Sequence, residues 1–175
     1  RKKQYQDDLR RELEESVDLS TKDGLTGLFN RRYFDIHIKQ MTEKSTETGQ
    51  KMCMLMFDMD NFKEVNDNYG HPAGDAVLKT LSNSLKSSFR VTDLISRYGG
   101  EEFVVLINNV DLKTGLELAE GMRAKIENID FIIPEQTEPL KKTTSIGVAE
   151  FNRKETVEEF ISRADKALYE AKETG

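Results

Sequence analysis

Residues 97–107 read Arg-Tyr-Gly-Gly-Glu-Glu-Phe-Val-Val-Leu-Ile. Two glycines and two acids therefore share a short turn between strand-like segments, which we predict at Leu94–Tyr98 and Glu102–Ile107. Glycine permits positive φ and, because it has no Cβ, lets the main chain approach a ligand. The neighbouring carboxylates are oxygen ligands of the kind that divalent cations prefer. A Gly-Gly pair by itself predicts only a hairpin turn, so a functional interpretation needs support from elsewhere in the chain.

A second segment, residues 57–75, supplies that support. It reads Phe-Asp-Met-Asp-Asn-Phe-Lys-Glu-Val-Asn-Asp-Asn-Tyr-Gly-His-Pro-Ala-Gly-Asp and begins where the apolar run Met52–Phe57, a predicted buried strand, ends. Ligands of open α/β sheets collect beyond the carboxyl ends of strands. Asp58 is therefore a candidate metal ligand if this strand lies beside the Gly-Gly hairpin. The alternative is that Asp58 and Asp60 only cap a turn into a short helix.

These two segments resemble the signature of the GGDEF family of diguanylate cyclases, with Glu101 at the third position of the motif. The resemblance covers about residues 20–175. It implies a palm-like or ferredoxin-like α/β domain in which helices flank a central, mostly antiparallel sheet. It also implies a nucleotidyltransferase, a diguanylate cyclase that condenses two GTP molecules into cyclic di-GMP and releases two pyrophosphates.

The resemblance assigns roles to matching residues. Metal ligands would be Asp58, the Met59 carbonyl and Glu101, holding two Mg²⁺ (or Mn²⁺) ions per half-site. Glu101 would also accept a proton, and Lys63 would stabilise charge on the transferring phosphoryl group. The predicted substrate contacts are Asn66, Asp75, His71, Lys63, Lys172, Gly99 and Gly100. For Glu102, support of the metal site and orientation of the turn both remain open.

Guanine recognition also follows from hydrogen-bond chemistry. The Watson–Crick edge of guanine offers two donors and one acceptor, which a carboxylate and a carboxamide match; Asn66 and Asp75 occupy the family positions for this role. Each substrate residue has a simpler interpretation as well. Asn66 and Asp75 suit a turn and a first helical turn, Lys63 suits a solvated surface, Lys172 suits a helix C-terminus, and His71 suits a tight Gly-His-Pro turn.

The pattern Arg90-Val91-Thr92-Asp93 lies shortly before Gly99. Alone, it predicts an exposed ion pair of little energetic value. Its placement matches the family's product-binding inhibitory site, and the planar fork of arginine suits guanine or phosphate. Gly121 stands where related cyclases often supply a second arginine, so we expect weaker product inhibition.

Residues 1–20 are densely charged, with apolar residues at helical spacing: Tyr5, Leu9, Leu13, Val17 and Leu19. They predict an amphipathic linker or stalk helix ahead of a catalytic domain at 21–175. The resemblance places here the connection to an upstream sensory or receiver domain. Heptads are not sustained, so a solvated single helix and a dimer stalk both remain open. Asp23–Arg32 resembles the family's connecting motif, with Asn30 as a helix cap.

Periodicity predicts the remaining elements. Helices are expected at Asn30–Thr48, Pro72–Phe89, Thr114–Glu127 and along residues 157–171. Thr143–Ala149 is a predicted strand, and residues 134–139 form a polar turn between two short extended segments.

Composition limits the class of protein. A chain of 175 residues with 37% hydrophobic content suits one domain with an appendage. A net charge of −6 without a basic run disfavours nucleic acid or an anionic membrane as a partner. Cys53 is the single cysteine, which excludes an intrachain disulfide, and no apolar run is long enough to span a bilayer. We therefore expect a cytoplasmic protein in which Cys53 is buried and inert.

The resemblance implies a homodimer as the working form, because each domain would bind one GTP and one half-site cannot complete the reaction. It also implies that cyclic di-GMP is both the product and an inhibitor. The main alternative is a catalytically silent module that binds cyclic di-GMP or GTP, although such modules usually lose the acids that remain here. A purely structural dimerisation domain leaves the clustered polar residues unexplained. A cyclase that makes cyclic AMP or GMP would share the palm-like chemistry but not these motifs.

Overall fold

A computed structural model describes residues 1–174 of the protein. The elements in chain order are α1 (Lys2–Thr21), α2 (Arg31–Thr48), β1 (Met52–Met59), α3 (Phe62–Tyr69), α4 (His71–Ser88), β2 (Leu94–Arg97), β3 (Glu102–Asn108), α5 (Leu112–Glu127), β4 (Thr144–Glu150) and α6 (Val157–Thr174). Gly175, the last residue of the predicted catalytic domain, lies outside the described residues.

The four strands form one antiparallel sheet in the order β2-β3-β1-β4. β1 is central, and Met52–Phe57 is buried on both faces of the sheet. Cys53, Leu55 and Phe57 pack into a core with α4 and α5, whereas Met54 and Met56 pack into a second core with α2 and α6. Strand side chains alternate between faces, so a continuous apolar run is what a strand covered on both sides requires. The predicted fold class is confirmed.

Element ends agree with the sequence predictions to within a few residues, but α3 was present in them only as the short helix of the alternative interpretation of Asp58 and Asp60. It spans two turns and buries only Phe62 and Val65, too short a pattern for periodicity to reveal. Neither Asp58 nor Asp60 caps it, because its N-cap residue is Asn61, which lies in the left-handed region at φ 54°. The predicted cap at Asn30 is confirmed: its side chain accepts a hydrogen bond from the Tyr33 amide.

Residues 131–140 and Cys53 also follow expectation. Phe131 and Leu140 pair in an isolated antiparallel bridge across the predicted polar turn.

Cys53 is fully buried, and burial raises the pKa of its thiol to about 12. The thiol therefore stays protonated and unreactive at neutral pH.

Helix α1 lies outside both cores. None of its residues is buried, and Tyr5, Leu9, Leu13 and Val17 all remain exposed. The helix is therefore amphipathic without a partner for its apolar stripe among the described residues. Within residues 1–174, no helix combines the length and the apolar character needed to cross a membrane.

Gly147 sets the distance between α6 and the sheet. A Cβ at this position of β4 would lie 2.3 Å from the Ala164 carbonyl oxygen and 2.3 Å from the Leu168 nitrogen. Both atoms belong to the α6 backbone and cannot rotate away. Glycine is therefore required here because the helix lies directly against the strand.

We predict that Gly147→Ala lowers the free energy of unfolding by about 1–3 kcal/mol, because the added methyl forces α6 off the sheet. Gly121→Ala is the matched control: nothing lies within 4 Å of its added Cβ, and it sits inside α5. That substitution should raise stability by about 0.5–1 kcal/mol through helix propensity. Urea unfolding of both variants measures the difference, and equal effects would show that α6 does not depend on this contact.

Candidate functional site

Asp58 lies at the end of β1, where the strand leaves the core. Its carboxylate is 15% exposed, and Oδ2 lies 3.2 Å from the Lys172 ammonium on α6. Oδ1 is buried and has no hydrogen-bond partner among residues 1–174. A buried carboxylate oxygen without a donor is energetically costly, so this atom is suited to a cation.

Strand pairing brings the acids of the Gly-Gly turn to Asp58. Asp58 is directly opposite Glu102 in the β1–β3 register, and Glu101 is the preceding residue. Burial raises the pKa of all three carboxyl groups, and the Asp58 charge raises the pKa of Glu101 and Glu102 further. Lys172 lowers the pKa of each of the three carboxyl groups. Arg31 also lowers the pKa of Glu102, yet the pKa of each carboxyl group remains raised.

The donor set fits a divalent cation that takes further ligands from elsewhere. Within the part of the chain that the structure describes, no three His, Cys, Asp or Glu side chains converge as a complete metal cage. Mg²⁺ is usually held by one or two carboxylates together with water and substrate phosphates. Asp58, with its unpartnered Oδ1, and Glu101 match such an open arrangement. Met59, whose carbonyl is the third predicted ligand, follows Asp58 in the chain.

The Gly-Gly turn differs from the prediction in one respect. The amides of Tyr98 and Gly99 both donate to the Glu102 carbonyl, at 2.8 and 3.1 Å. Positive φ among the described glycines occurs at Gly27, Gly49 and Gly70, not at Gly99 or Gly100, so the expectation of positive φ in this turn is wrong. The second expected property of glycine, access of a ligand to the main chain, agrees with the structure. A Cβ at Gly100 would meet nothing within 4 Å, so the main chain there is open to a ligand.

Asp60 has a structural role that the sequence did not reveal. Its two carboxylate oxygens accept hydrogen bonds from the hydroxyls of Thr143 and Ser145, both at 2.7 Å. These hydroxyls come from the start of β4, far away in sequence, so no local pattern predicts the contact. Asp60 ties the turn after β1 to the neighbouring strand.

Helices α3 and α4 carry the predicted nucleotide contacts. The Asn66 side chain lies against Gly74, where a Cβ would fall 1.9 Å from Asn66 Oδ1. Gly74 immediately precedes Asp75, so this close approach brings Asn66 to the first turns of α4, which carry Asp75. Lys63, His71 and Asp75 are exposed. The requirement for glycine at position 74 was missed, because it depends on the α3–α4 contact.

Lys172 was predicted to contact phosphate, but in the structure its ammonium pairs with Asp58. Lys172 lies in the last turn of α6, and the close packing of that helix at Gly147 directs it to the end of β1. The prediction of a phosphate contact stays open. The observed ion pair shows that Lys172 reaches the carboxylate cluster.

Arg90 and Asp93 lie at the other end of the sheet. The Arg90 guanidinium donates to both Asp93 oxygens, at 3.2 and 3.1 Å, and to the Asn108 carbonyl. Asn108 pairs with Met52, the first residue of β1, whereas Asp58 is near its end. Asp93 is buried and Arg90 remains half exposed. The two residues therefore form one unit that is separate from the Asp58 cluster.

The antiparallel sheet with helices on both faces and acids at one end is the palm-like fold of nucleotidyl cyclases. Comparison with known proteins specifies this further. Residues 20–175 match the family described as diguanylate cyclase, GGDEF domain, and the chain belongs to that family. Members of this family generally use a divalent metal ion.

Relatives support the assignment over the whole chain. The response regulator PleD of Caulobacter vibrioides is 39% identical over 175 residues, which cover 99% of this chain and 38% of PleD. The chain thus spans well under half the length of that relative. A crystal structure of diguanylate cyclase SiaD with its activator SiaC, from Pseudomonas aeruginosa, has a TM-score of 0.85 and 36% identity, covering 99% of this chain and 66% of that one. The coiled coil and GGDEF domain of DgcB from Caulobacter crescentus, in complex with c-di-GMP, has a TM-score of 0.93 and 28% identity, covering 99% and 92%.

We predict that Asp58→Asn raises the free energy of unfolding at pH 7 by about 0.5–1 kcal/mol, because an ionised, partly unpartnered carboxylate is removed. The raised pKa means that folded Asp58 binds its proton more tightly than the unfolded chain does. Its ionisation therefore destabilises the fold above the raised pKa, and this penalty disappears as pH falls below the ordinary value of 3.8. The gain in stability from Asp58→Asn should therefore disappear as the pH falls from the raised pKa of Asp58 to below 3.8. Urea unfolding at a series of pH values measures this.

Asp60→Asn is the matched control. Both oxygens of Asp60 accept hydroxyl hydrogen bonds, so this substitution should lower stability by about 0.5–1.5 kcal/mol. If both variants lose the same amount of stability, the contacts of Asp58 stabilise its carboxylate as well as the hydroxyl hydrogen bonds stabilise that of Asp60.

Proposed function

We propose that this chain is the catalytic domain of a diguanylate cyclase that converts two GTP molecules into cyclic di-GMP and two pyrophosphates. The observation that carries the proposal is Asp58, a buried carboxylate with an unpartnered oxygen, held in register beside the Gly-Gly-Glu-Glu turn. Family membership supports it, as do relatives that are named diguanylate cyclases or crystallised with c-di-GMP.

In the proposed reaction, the 3′-hydroxyl of each GTP attacks the α-phosphate of the other. Two P–O bonds form, two pyrophosphates leave, and each hydroxyl gives up one proton. Asp58, the Met59 carbonyl and Glu101 would hold two divalent cations per half-site, and these would supply activation of the attacking oxygen and stabilisation of the leaving group. Glu101 is the proposed acceptor of the hydroxyl proton.

Other residues position the nucleotide. Asn66 and Asp75 bind the guanine edge, with His71 beside them at the start of α4. Adenine does not match that set of donors and acceptors, so the unpaired polar groups would penalise ATP. Lys63 stabilises charge on the transferring phosphoryl group. Lys172 exchanges its Asp58 contact for a phosphate, and Gly99 and Gly100 leave room for the nucleotide to approach the main chain.

Incubation with GTP and Mg²⁺, followed by chromatography of the products, tests the activity directly. We predict that Glu101→Gln lowers cyclic di-GMP synthesis by about 100-fold or more, because it removes a metal-ligand charge. Glu138→Gln, at an exposed position in a distant loop, should leave the rate unchanged. Thermal unfolding should show that both variants are folded. Substantial synthesis by Glu101→Gln would remove Glu101 from the mechanism.

The same assay tests the alternative of a silent binding module. One observation favours that alternative: Lys172 already neutralises part of the Asp58 charge. Binding of GTP or cyclic di-GMP without turnover, in a protein held as a dimer, would establish it.

A dimer is part of the proposal because one domain supplies one half-site. The exposed stripe of α1 offers a contact between two copies, and the similar DgcB structure includes a coiled coil. We propose that α1 links the catalytic domain to an upstream sensory or receiver domain, as the similarity to the response regulator PleD suggests.

We predict that specific activity rises with protein concentration while the protein is mainly monomeric, because the reacting GTP molecules belong to two domains. Fusion of a dimeric coiled coil to α1 should remove this dependence and raise the rate at low concentration. Initial rates over a dilution series, with sedimentation as a parallel measure of dimer content, provide the comparison. Constant specific activity across the monomer range would exclude the two-domain mechanism.

We also propose product inhibition at Arg90 and Asp93. Arg90 can offer its exposed face to guanine or phosphate, but its guanidinium already binds Asp93 and Asn108. Product binding must therefore compete with internal hydrogen bonds. Gly121 is exposed on α5 and provides no second cation, so the inhibition should be weak.

We predict that cyclic di-GMP slows synthesis without competing with GTP, and that Arg90→Ala reduces this inhibition by about 10-fold or more. Initial rates and calorimetric titration measure the effect. Arg153→Ala, at another exposed arginine, serves as the control. Equal product binding and equal inhibition in Arg90→Ala and the native chain would leave Arg90 as a local ion-pair residue.

A further inference from the structure

The loop that follows α1 is built around Asp23. In this connecting loop, residues 22–30, Lys22 and Phe29 form an antiparallel bridge. The Asp23 amide donates to the Leu28 carbonyl at 2.7 Å. The Asp23 carboxylate accepts from the amide and the hydroxyl of Thr26, at 2.9 and 2.7 Å. The carboxylate is therefore held in one position.

The connecting loop joins the sheet at the outer edge of β2. The Phe29 amide donates to the Ile95 carbonyl at 3.3 Å, and the Arg97 amide donates to the Phe29 carbonyl at 2.9 Å. The Ser96 hydroxyl donates to the carbonyls of Phe29 and Asn30, at 2.9 and 3.1 Å. Phe29 thus pairs with Ser96 of β2 in an isolated parallel bridge, and the loop lies beside the chain that leads into the Gly-Gly turn.

Arg97 bridges this loop to the turn itself. Its Nη1 lies 3.2 and 3.3 Å from the two Asp23 oxygens, while Nε and Nη2 donate to the Gly100 carbonyl at 3.2 and 2.7 Å. The side chains of Arg97 and Asp23 are only 18% and 20% exposed. Gly100 directly precedes Glu101, and a Cβ on Gly100 would touch nothing within 4 Å. The guanidinium is therefore a direct restraint on a residue that has no side-chain packing of its own.

The C-terminal turn of α1 is also hydrogen-bonded to this connecting loop. The Asn30 side chain donates to the Ser20 carbonyl at 3.1 Å, and the Asn30 amide donates to the Thr21 carbonyl at 2.8 Å. A chain of direct contacts consequently runs from the last turn of α1 through the connecting loop and Arg97 to Gly100.

We infer that Arg97 is a positioning residue, which uses Asp23 as its anchor to hold the Gly100 carbonyl and so fixes Glu101 relative to Asp58. This inference deepens the proposed function, on which its catalytic consequence rests. A displacement of about 1 Å in a reacting group can lower turnover about 100-fold. Loss of the bridge should therefore reduce kcat strongly and leave the KM for GTP nearly unchanged, because the predicted guanine contacts lie on α3 and α4.

The chain contains a matched control. Arg163 makes the same kind of bridge, from the Glu155 carboxylate to the Glu150 carbonyl, with Nε 2.8 Å from Glu155 Oε2 and Nη2 2.6 Å from Glu150 O. Arg163 lies in α6, and its bridge holds the β4–α6 connection, away from the turn. Arg97→Met and Arg163→Met each remove a guanidinium and keep much of the aliphatic stem. Arg97→Lys keeps the charge but cannot bridge both partners in the same geometry.

Amide hydrogen exchange provides a readout that needs no activity. The amides of Tyr98 and Gly99, which bond to the Glu102 carbonyl, should exchange about 10-fold faster or more in Arg97→Met. Amides within β1 should be unchanged, and Arg163→Met should match the native chain at the turn. In Arg97→Lys, the exchange rates of the Tyr98 and Gly99 amides should lie between those of the native chain and those of Arg97→Met. Asp23→Asn combined with Arg97→Met should be no faster at the turn than Arg97→Met alone, since Asp23 acts through Arg97.

Kinetics then separates this inference from the proposed function. If the native chain makes cyclic di-GMP, kcat of Arg97→Met should fall about 10- to 100-fold with little change in KM, and Arg163→Met should keep the native values. If Arg97→Met and Arg163→Met show equal exchange at the turn, or equal kcat, Arg97 has no positioning role. If the native chain makes no product in dimeric form, the proposed function fails, while the exchange comparison still decides whether Arg97 holds the turn.

Discussion

β1 pairs with β3 from Met52 opposite Asn108 to Asp58 opposite Glu102. This register determines where Asp58 lies relative to Glu101 and Glu102. Asp58 continues the face of β1 that carries Met54 and Met56, so a shift of one residue would turn the acid to the opposite face and expose a methionine. Because both faces of β1 are buried, such a shift is excluded by the same apolar contacts that stabilise the domain. The core therefore fixes the geometry of the carboxylates.

That geometry brings three acids together, and burial raises the pKa of each. The Asp58 charge raises the pKa of Glu101 and Glu102 further, whereas the added rise at Asp58 comes from Asp60. Buried carboxylates are unfavourable for folding unless they are paired, and Lys172 is the cation that pairs with Asp58. Lys172 arrives there because α6 lies directly on Gly147. Asp60 shows the contrast: it is two residues away and fully hydrogen-bonded by hydroxyls of β4. Asp60 holds the turn, whereas Asp58 keeps one oxygen available.

The two ends of the sheet carry different chemistry. The Asp58 cluster occupies the end of β1, and the Arg90–Asp93 pair lies near its beginning, joined to β3 through Asn108. A ligand at one end does not have to touch the other. The connecting loop after α1 reaches the first of these ends through Arg97, so the Gly-Gly turn is tied to α1 as well as to the sheet.

Local patterns were enough to predict the strands, the long helices, the cap at Asn30 and the likeness of the two motif segments to one family, because these depend on neighbouring residues in the chain. The pairing of Asp58 with Lys172, the support of Asp60 by Thr143 and Ser145, and the bridge from Asp23 through Arg97 to Gly100 could not be predicted in this way. Each joins residues that are distant in sequence, and their contact depends on how the strands pair and how closely α6 packs. The same holds for Gly74 and Gly147, where glycine is needed because another segment of the chain occupies the space that a side chain would fill.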